Sequence, residues 1–178
     1  MSHDLVSSLN SFVAVSSAAS SLLVRDVAGS YRPAEPAKVL QAALRVLAGQ
    51  LRGTELLSSP QAVRDFLRIQ LGRLEHEVFA VIHLDAQHRV IEYVEMFRGT
   101  VSQTSVYPRE VVKEALARNS AAIVLVHNHP SGFAEPSRAD ELLTQTLKSA
   151  LSLVDVRVID HLIVAGATIL SFAERGLI

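Results

Sequence analysis

Residues 121–143 read AAIVLVHNHPSGFAEPSRADELL, and the reading of this stretch decides the fold. Ala121 to Val126 is an apolar run of strand length that leads straight into His127. Pro130-Ser131-Gly132 then bends the chain away. From Ser137 the apolar spacing becomes helical and continues through Leu142, Leu143, Leu147 and Leu151. A buried strand followed by a loop and an amphipathic helix predicts a mixed α/β protein whose helices cover a central sheet.

The neighbouring segments extend that pattern. Val156 to Val164 and Thr168 to Phe172 read as two short strands around Gly166. Upstream, Val78 to Leu84 is strand-like, Asp85-Ala86-Gln87-His88 is a turn, and Val90 to Phe97 is the returning strand. Gly99 breaks it, Val101 to Val106 reads as a third extended segment, and Tyr107-Pro108 opens a helix that ends near Asn119. An earlier helix starts with Ser59 as cap and Pro60 at the first helical position, and stops near Gly72. Another carries Leu40, Leu44, Leu47 and Leu51 after Pro36. Residues 1–35 read as an adaptable N-terminal arm ending in Gly29-Ser30-Tyr31-Arg32-Pro33. The expected organisation is an arm at 1–35, a helical extension at 36–58 and a catalytic-sized domain at 59–178.

Composition narrows the function classes. With 178 residues, 49% hydrophobic and 20% charged, the chain suits one folded domain with a short extension. A formal net charge of -1 supplies no global attraction to nucleic acid or anionic membrane. The absence of cysteine excludes disulfides, thiolate-bound zinc, iron–sulfur clusters and thiol nucleophiles, so any metal must sit on His, Asp or Glu. The apolar run Leu5 to Val24 begins after Asp4 and is interrupted by serines, unlike a signal peptide. No window reaches the roughly 18 apolar residues of a spanning helix. The expected location is the cytoplasm.

Alternate residues of a strand share a face, so His127 and His129 project together, with Cα atoms roughly 6.5 to 7 Å apart. Asp140, in the first turn of the next helix, can be returned over the pair by the loop. Two histidines and one carboxylate, with a fourth position open, form a ligand set of catalytic zinc. Taken alone, Ser137-x-x-Asp140 is better explained as a capping box, and His-x-His by itself is weak. Their placement on either side of one loop, at the end of a buried strand, favours the metal reading. Asn128 points opposite to the ligands and is assigned no chemistry. His161 reads as a satisfied structural histidine, with a supporting role open, and Arg98 and Arg109 as surface charges.

His127-Asn128-His129-Pro130-Ser131-Gly132 with Pro136-Ser137-Arg138-Ala139-Asp140 resembles the JAMM motif of the JAB/MPN metalloproteases, in particular their bacterial RadC-like branch. The likeness covers roughly Ser59 to Ile178 and includes Val106-Tyr107-Pro108-Arg109-Glu110 and Asp160-His161-Leu162-Ile163-Val164. It implies the JAB/MPN, cytidine-deaminase-like fold: a mixed β-sheet flanked by helices, here with an N-terminal helical extension. It makes His127, His129 and Asp140 zinc ligands and gives Ser137 the oxyanion. It also implies an upstream glutamate as general base, matched by Glu77, with Glu75 as the alternative. The helical DNA-binding-type module of full-length RadC proteins finds no match in residues 1–58.

The expected function is therefore a Zn2+-dependent metallopeptidase that cleaves a peptide or isopeptide bond in a peptide or protein substrate. The alternatives are a non-catalytic protein- or DNA-interaction module and a zinc-dependent phosphoesterase or nuclease. Charge lends DNA association no support, no membrane partner is expected, and the apolar residues of the arm suit docking on the body or on a second copy, as in a homodimer.

Overall fold

The structure is a computed structural model and describes residues 22–25, 27–53, 60–99 and 105–178. In chain order the elements are β1 (Leu23–Arg25), β2 (Tyr31–Pro33), α1 (Pro36–Leu51), α2 (Pro60–Leu71), β3 (Val78–Leu84), β4 (Val90–Arg98), α3 (Pro108–Ala117), β5 (Ala122–Asn128), α4 (Arg138–Ser152), β6 (Arg157–Ala165) and β7 (Thr168–Ser171). The expected cap Ser59, the first 21 residues of the arm, and residues 101–104 of the expected extended segment lie outside the described residues. Ser105 and Val106 belong to no strand.

Two compact units divide the chain, one up to Arg45 and one from Val46 onward. In the first, β1 and β2 pair antiparallel with Val24 opposite Arg32, closing a turn at Gly29. Gly29 has φ of 84°, a left-handed conformation that glycine adopts without steric cost. This small ribbon was not foreseen from the sequence, because three-residue strands leave no periodic signal.

The second unit holds a five-stranded sheet in the order β4-β3-β5-β6-β7. β3 pairs antiparallel with both β4 and β5, β5 and β6 run parallel, and β6 and β7 are antiparallel. The sheet is mixed, as the sequence implies. β3 and β5 are buried at every position, which is why they read as continuous apolar runs instead of alternating ones. On one face, Phe79, Val81, Ile123 and Leu125 pack with Val111 and Ala115 of α3 and Leu147 and Leu151 of α4. On the other, α2 buries Val63, Phe66, Leu67 and Leu71, sets Phe66 edge-on to Tyr93 of β4 and anchors Arg68 on the Ala167 carbonyl beyond β6. No helix among the described residues is long and apolar enough to cross a membrane.

The connection from β5 through α4 to β6 is a crossover between parallel strands. It places the 129–137 loop and the N-terminus of α4 at the carboxyl end of β5, where open α/β sheets hold their ligands.

Candidate metal centre

β5 delivers His127 as its penultimate residue, and the chain continues in register for one more step, with the His129 N–H donating to the Val164 carbonyl at 2.8 Å. Gly132, at φ 81°, then turns the loop, its N–H bonding the His129 carbonyl. The two imidazoles end with their Nε2 atoms 2.8 Å apart. Asp140 comes back over them from α4: Oδ1 lies 3.3 Å from His127 Nε2 and Oδ2 lies 3.6 Å from His129 Nε2. His127 is buried and the other two are half-buried. The three residues are the group among those described whose ligand atoms converge closely enough to hold a metal ion, all within 4.8 Å of one another.

Proton placement supports a cation there. His129 Nδ1 sits 2.7 Å from the Phe133 carbonyl, which can only accept, so Nδ1 carries the proton and a neutral His129 presents Nε2 as a bare lone pair. That lone pair faces a second imidazole nitrogen and a carboxylate. Burial works to raise the Asp140 carboxyl, but hydrogen bonds from His127, His129 and Ser137 outweigh it and hold the group well below the usual carboxylate range. The hydrogen bond to Asp140 raises the His129 imidazole. The donor set of two imidazoles and one carboxylate fits zinc.

Ser137 is the N-cap of α4. Its Oγ accepts from the Asp140 N–H at 3.2 Å, and its own N–H donates back to Asp140 Oδ2 at 2.7 Å, completing a capping box. Its hydroxyl also donates to Oδ2 at 2.6 Å. The cap and the ligand are therefore one device, in which the box aims the carboxylate at the histidines.

Glu77 lies immediately before β3 and is half-buried, whereas Glu75 is exposed in a bend. Phe79 pairs with His127, so continuing the antiparallel register by two residues sets Glu77 opposite His129 on the ligand-bearing face. The charge of Glu77 contributes to raising His129. Arg98 and Arg109 are exposed.

A family model for the RadC-like JAB domain matches residues 57–177. This chain belongs to the RadC-like JAB domain family. Among its relatives, a UPF0758 protein of Leptothrix cholodnii is 62% identical over 150 residues, covering 84% of this chain and 68% of that protein. One from Methylibium petroleiphilum is 61% identical over 150 residues with the same coverage, and one from Aromatoleum aromaticum is 64% identical over 141 residues, covering 79% of this chain and 63% of its own. In each case the matched part is about two thirds of the relative.

Three contributors to this JAB-domain site were missed in the sequence. The Phe133 carbonyl sets the His129 tautomer, and no side-chain motif announces a main-chain acceptor. Asn128 is buried and clamps the backbone on both sides of Glu77: its Oδ1 accepts the Val78 N–H at 2.8 Å and its Nδ2 donates to the His76 carbonyl at 3.0 Å. A polar residue inside a buried strand was the available signal, because such a group needs partners. Thr144, fully buried, lies one helical turn after Asp140 and touches His161. Its i,i+4 spacing from a ligand was legible.

Proposed function

We propose that this RadC-like JAB domain is a zinc-dependent hydrolase of peptide or isopeptide bonds, acting on a peptide or protein substrate. The observation that carries the reading is the convergence of His127, His129 and Asp140 within 4.8 Å, with Glu77 brought to the same face by the β3–β5 register. His127, His129 and Asp140 would hold the metal and leave a coordination position open. When bound, zinc supplies Lewis acidity, lowering the pKa of water to about 7 and polarising a carbonyl.

The protein's own residues supply the proton handling. Glu77 takes a proton from the attacking water and returns it to the leaving amine nitrogen, the two halves of general base and acid catalysis. Asn128 holds the main chain on either side of Glu77, so the carboxylate starts from a fixed backbone. Ser137 donates to the oxyanion once its hydroxyl turns from Asp140 Oδ2, and the box's main-chain bonds keep Asp140 in place meanwhile.

The test is cleavage of a mixed peptide library by the zinc-loaded chain, read by mass spectrometry, beside a Glu77→Gln variant shown to bind the same amount of zinc. Cleavage by the wild type, reduced at least about 100-fold in the variant, is the expected result. Equal cleavage by both would remove Glu77 from the chemistry. No cleavage of peptide or isopeptide substrates by a zinc-loaded wild type would favour the interaction-module reading instead.

A further inference from the structure

We propose that His161 and Thr144 form a hydrogen-bond relay that fixes the tautomer and orientation of His127 as a metal ligand, anchored on the main-chain carbonyl of Asp140. The proposal rests on the metal-site reading and assigns two positioning residues that neither ligate nor meet substrate.

The direction of the relay follows from one atom. Thr144 Oγ1 lies 2.6 Å from the Asp140 carbonyl, an acceptor only, so the Thr144 hydroxyl donates there. The same Oγ1 lies 2.7 Å from His161 Nδ1. With its own hydrogen committed, Oγ1 accepts, and His161 therefore carries its proton on Nδ1. His161 is fully buried between the rings of Phe79 and Phe172, with no carboxylate among its ring's hydrogen-bond partners, so it stays neutral. Its Nε2 is then an acceptor, and it lies 2.8 Å from His127 Nδ1. His127 must donate from Nδ1, so a neutral His127, the form that binds a metal, presents Nε2 as a lone pair toward His129 and Asp140.

The relay closes on itself. Asp140 supplies a carboxylate to the metal site and, through its main-chain oxygen, sets the proton positions that make His127 a ligand. α4 provides both, because Thr144 stands one turn beyond Asp140. β6 brings His161 beside β5, where it pairs with Leu125. Reversing the tautomer of His161 would place a proton on His127 Nε2, facing the cation. Orienting partners of this kind are worth about 10- to 100-fold in metal affinity.

The probe is zinc alone, titrated into the full chain against a chromophoric chelator. Wild type and Thr144→Ser, which keeps the hydroxyl, should bind one zinc with equal affinity, and Thr144→Val should bind about 10- to 100-fold more weakly. A wild type that binds zinc and a Thr144→Val chain that binds it equally well would overturn the relay alone. A wild type that takes up no zinc would overturn the metal site and the relay with it. A second measurement needs no variant to fold. Long-range nitrogen–proton NMR of the zinc-loaded wild type should show His161 protonated at Nδ1 and bare at Nε2. The opposite tautomer would contradict the proposal.

Discussion

Asn128 stands between two ligands in sequence and faces away from them in space, yet it ties the ligand strand to the start of β3. Replacing it with Ala should leave the Val78 N–H and the His76 carbonyl without their partners and lower stability by about 2 kcal/mol, measured as a shift in urea midpoint. The same variant should lose the proposed hydrolytic activity beyond its loss of stability, because the backbone around Glu77 is no longer held. At this scale the convergence of His127, His129 and Asp140, a group that could hold a metal ion, was legible from the sequence. His127 and His129 obey strand periodicity, and Asp140 falls in the turn that faces them. Glu77 was singled out only through likeness to the family, since an acidic residue before a strand has no spacing of its own, and its role as base belongs to the proposed function. What reading residues singly could not supply was proton placement, which depends on carbonyl groups such as those of Phe133 and Asp140.

At the scale of elements, α4 performs two tasks with one turn. The capping box reading of Ser137 and Asp140 and their reading as part of a site competed in the sequence, whereas the structure has the box itself aim the carboxylate. Ser137→Ala should cost about 1 kcal/mol of stability through the lost cap. It should leave zinc binding nearly unchanged, checked by the same chelator competition, because the Ser137 main-chain N–H still holds Asp140 Oδ2. Gly72 shows a packing constraint of another kind. It follows α2, and a Cβ built there would lie 2.5 Å from the Gly166 carbonyl oxygen and 2.6 Å from that of Arg68. Gly72→Ala should destabilise by about 2 kcal/mol, roughly 4–8 °C in melting temperature, as α2 and the β6–β7 turn are forced apart. The sequence marked Gly72 as a helix stop and held no sign of this close approach, which depends on residues some ninety positions later.

Across the whole second unit, a buried histidine ties stability to pH. His83, the penultimate residue of β3, is fully buried, with Nδ1 bonded to the Ser120 hydroxyl and Nε2 without a hydrogen-bond partner among the described residues. Burial, helped by the charge of Arg118, pulls its pKa down from 6.5 to about 4. The unfolded chain therefore binds a proton that the folded chain refuses, so the contribution is complete above pH 6.5 and is lost as pH falls to about 4. Its size is about 3 kcal/mol. Urea midpoints across this window should fall further for the wild type than for His83→Leu, and parallel curves would show that another group is responsible. The sheet order belongs to this scale too: strands and helices were legible one by one, but the pairing of β3 between β4 and β5, which brings Glu77 beside His129, is a long-range fact with no local signature. The proposed function requires that His127, His129 and Asp140 hold one metal ion. Metal analysis of the purified, zinc-dialysed chain tests it most directly. One zinc per wild-type chain, and none tightly held in His129→Ala with its fold intact, is the expected result. A wild type without zinc, or a variant that keeps one, would contradict it.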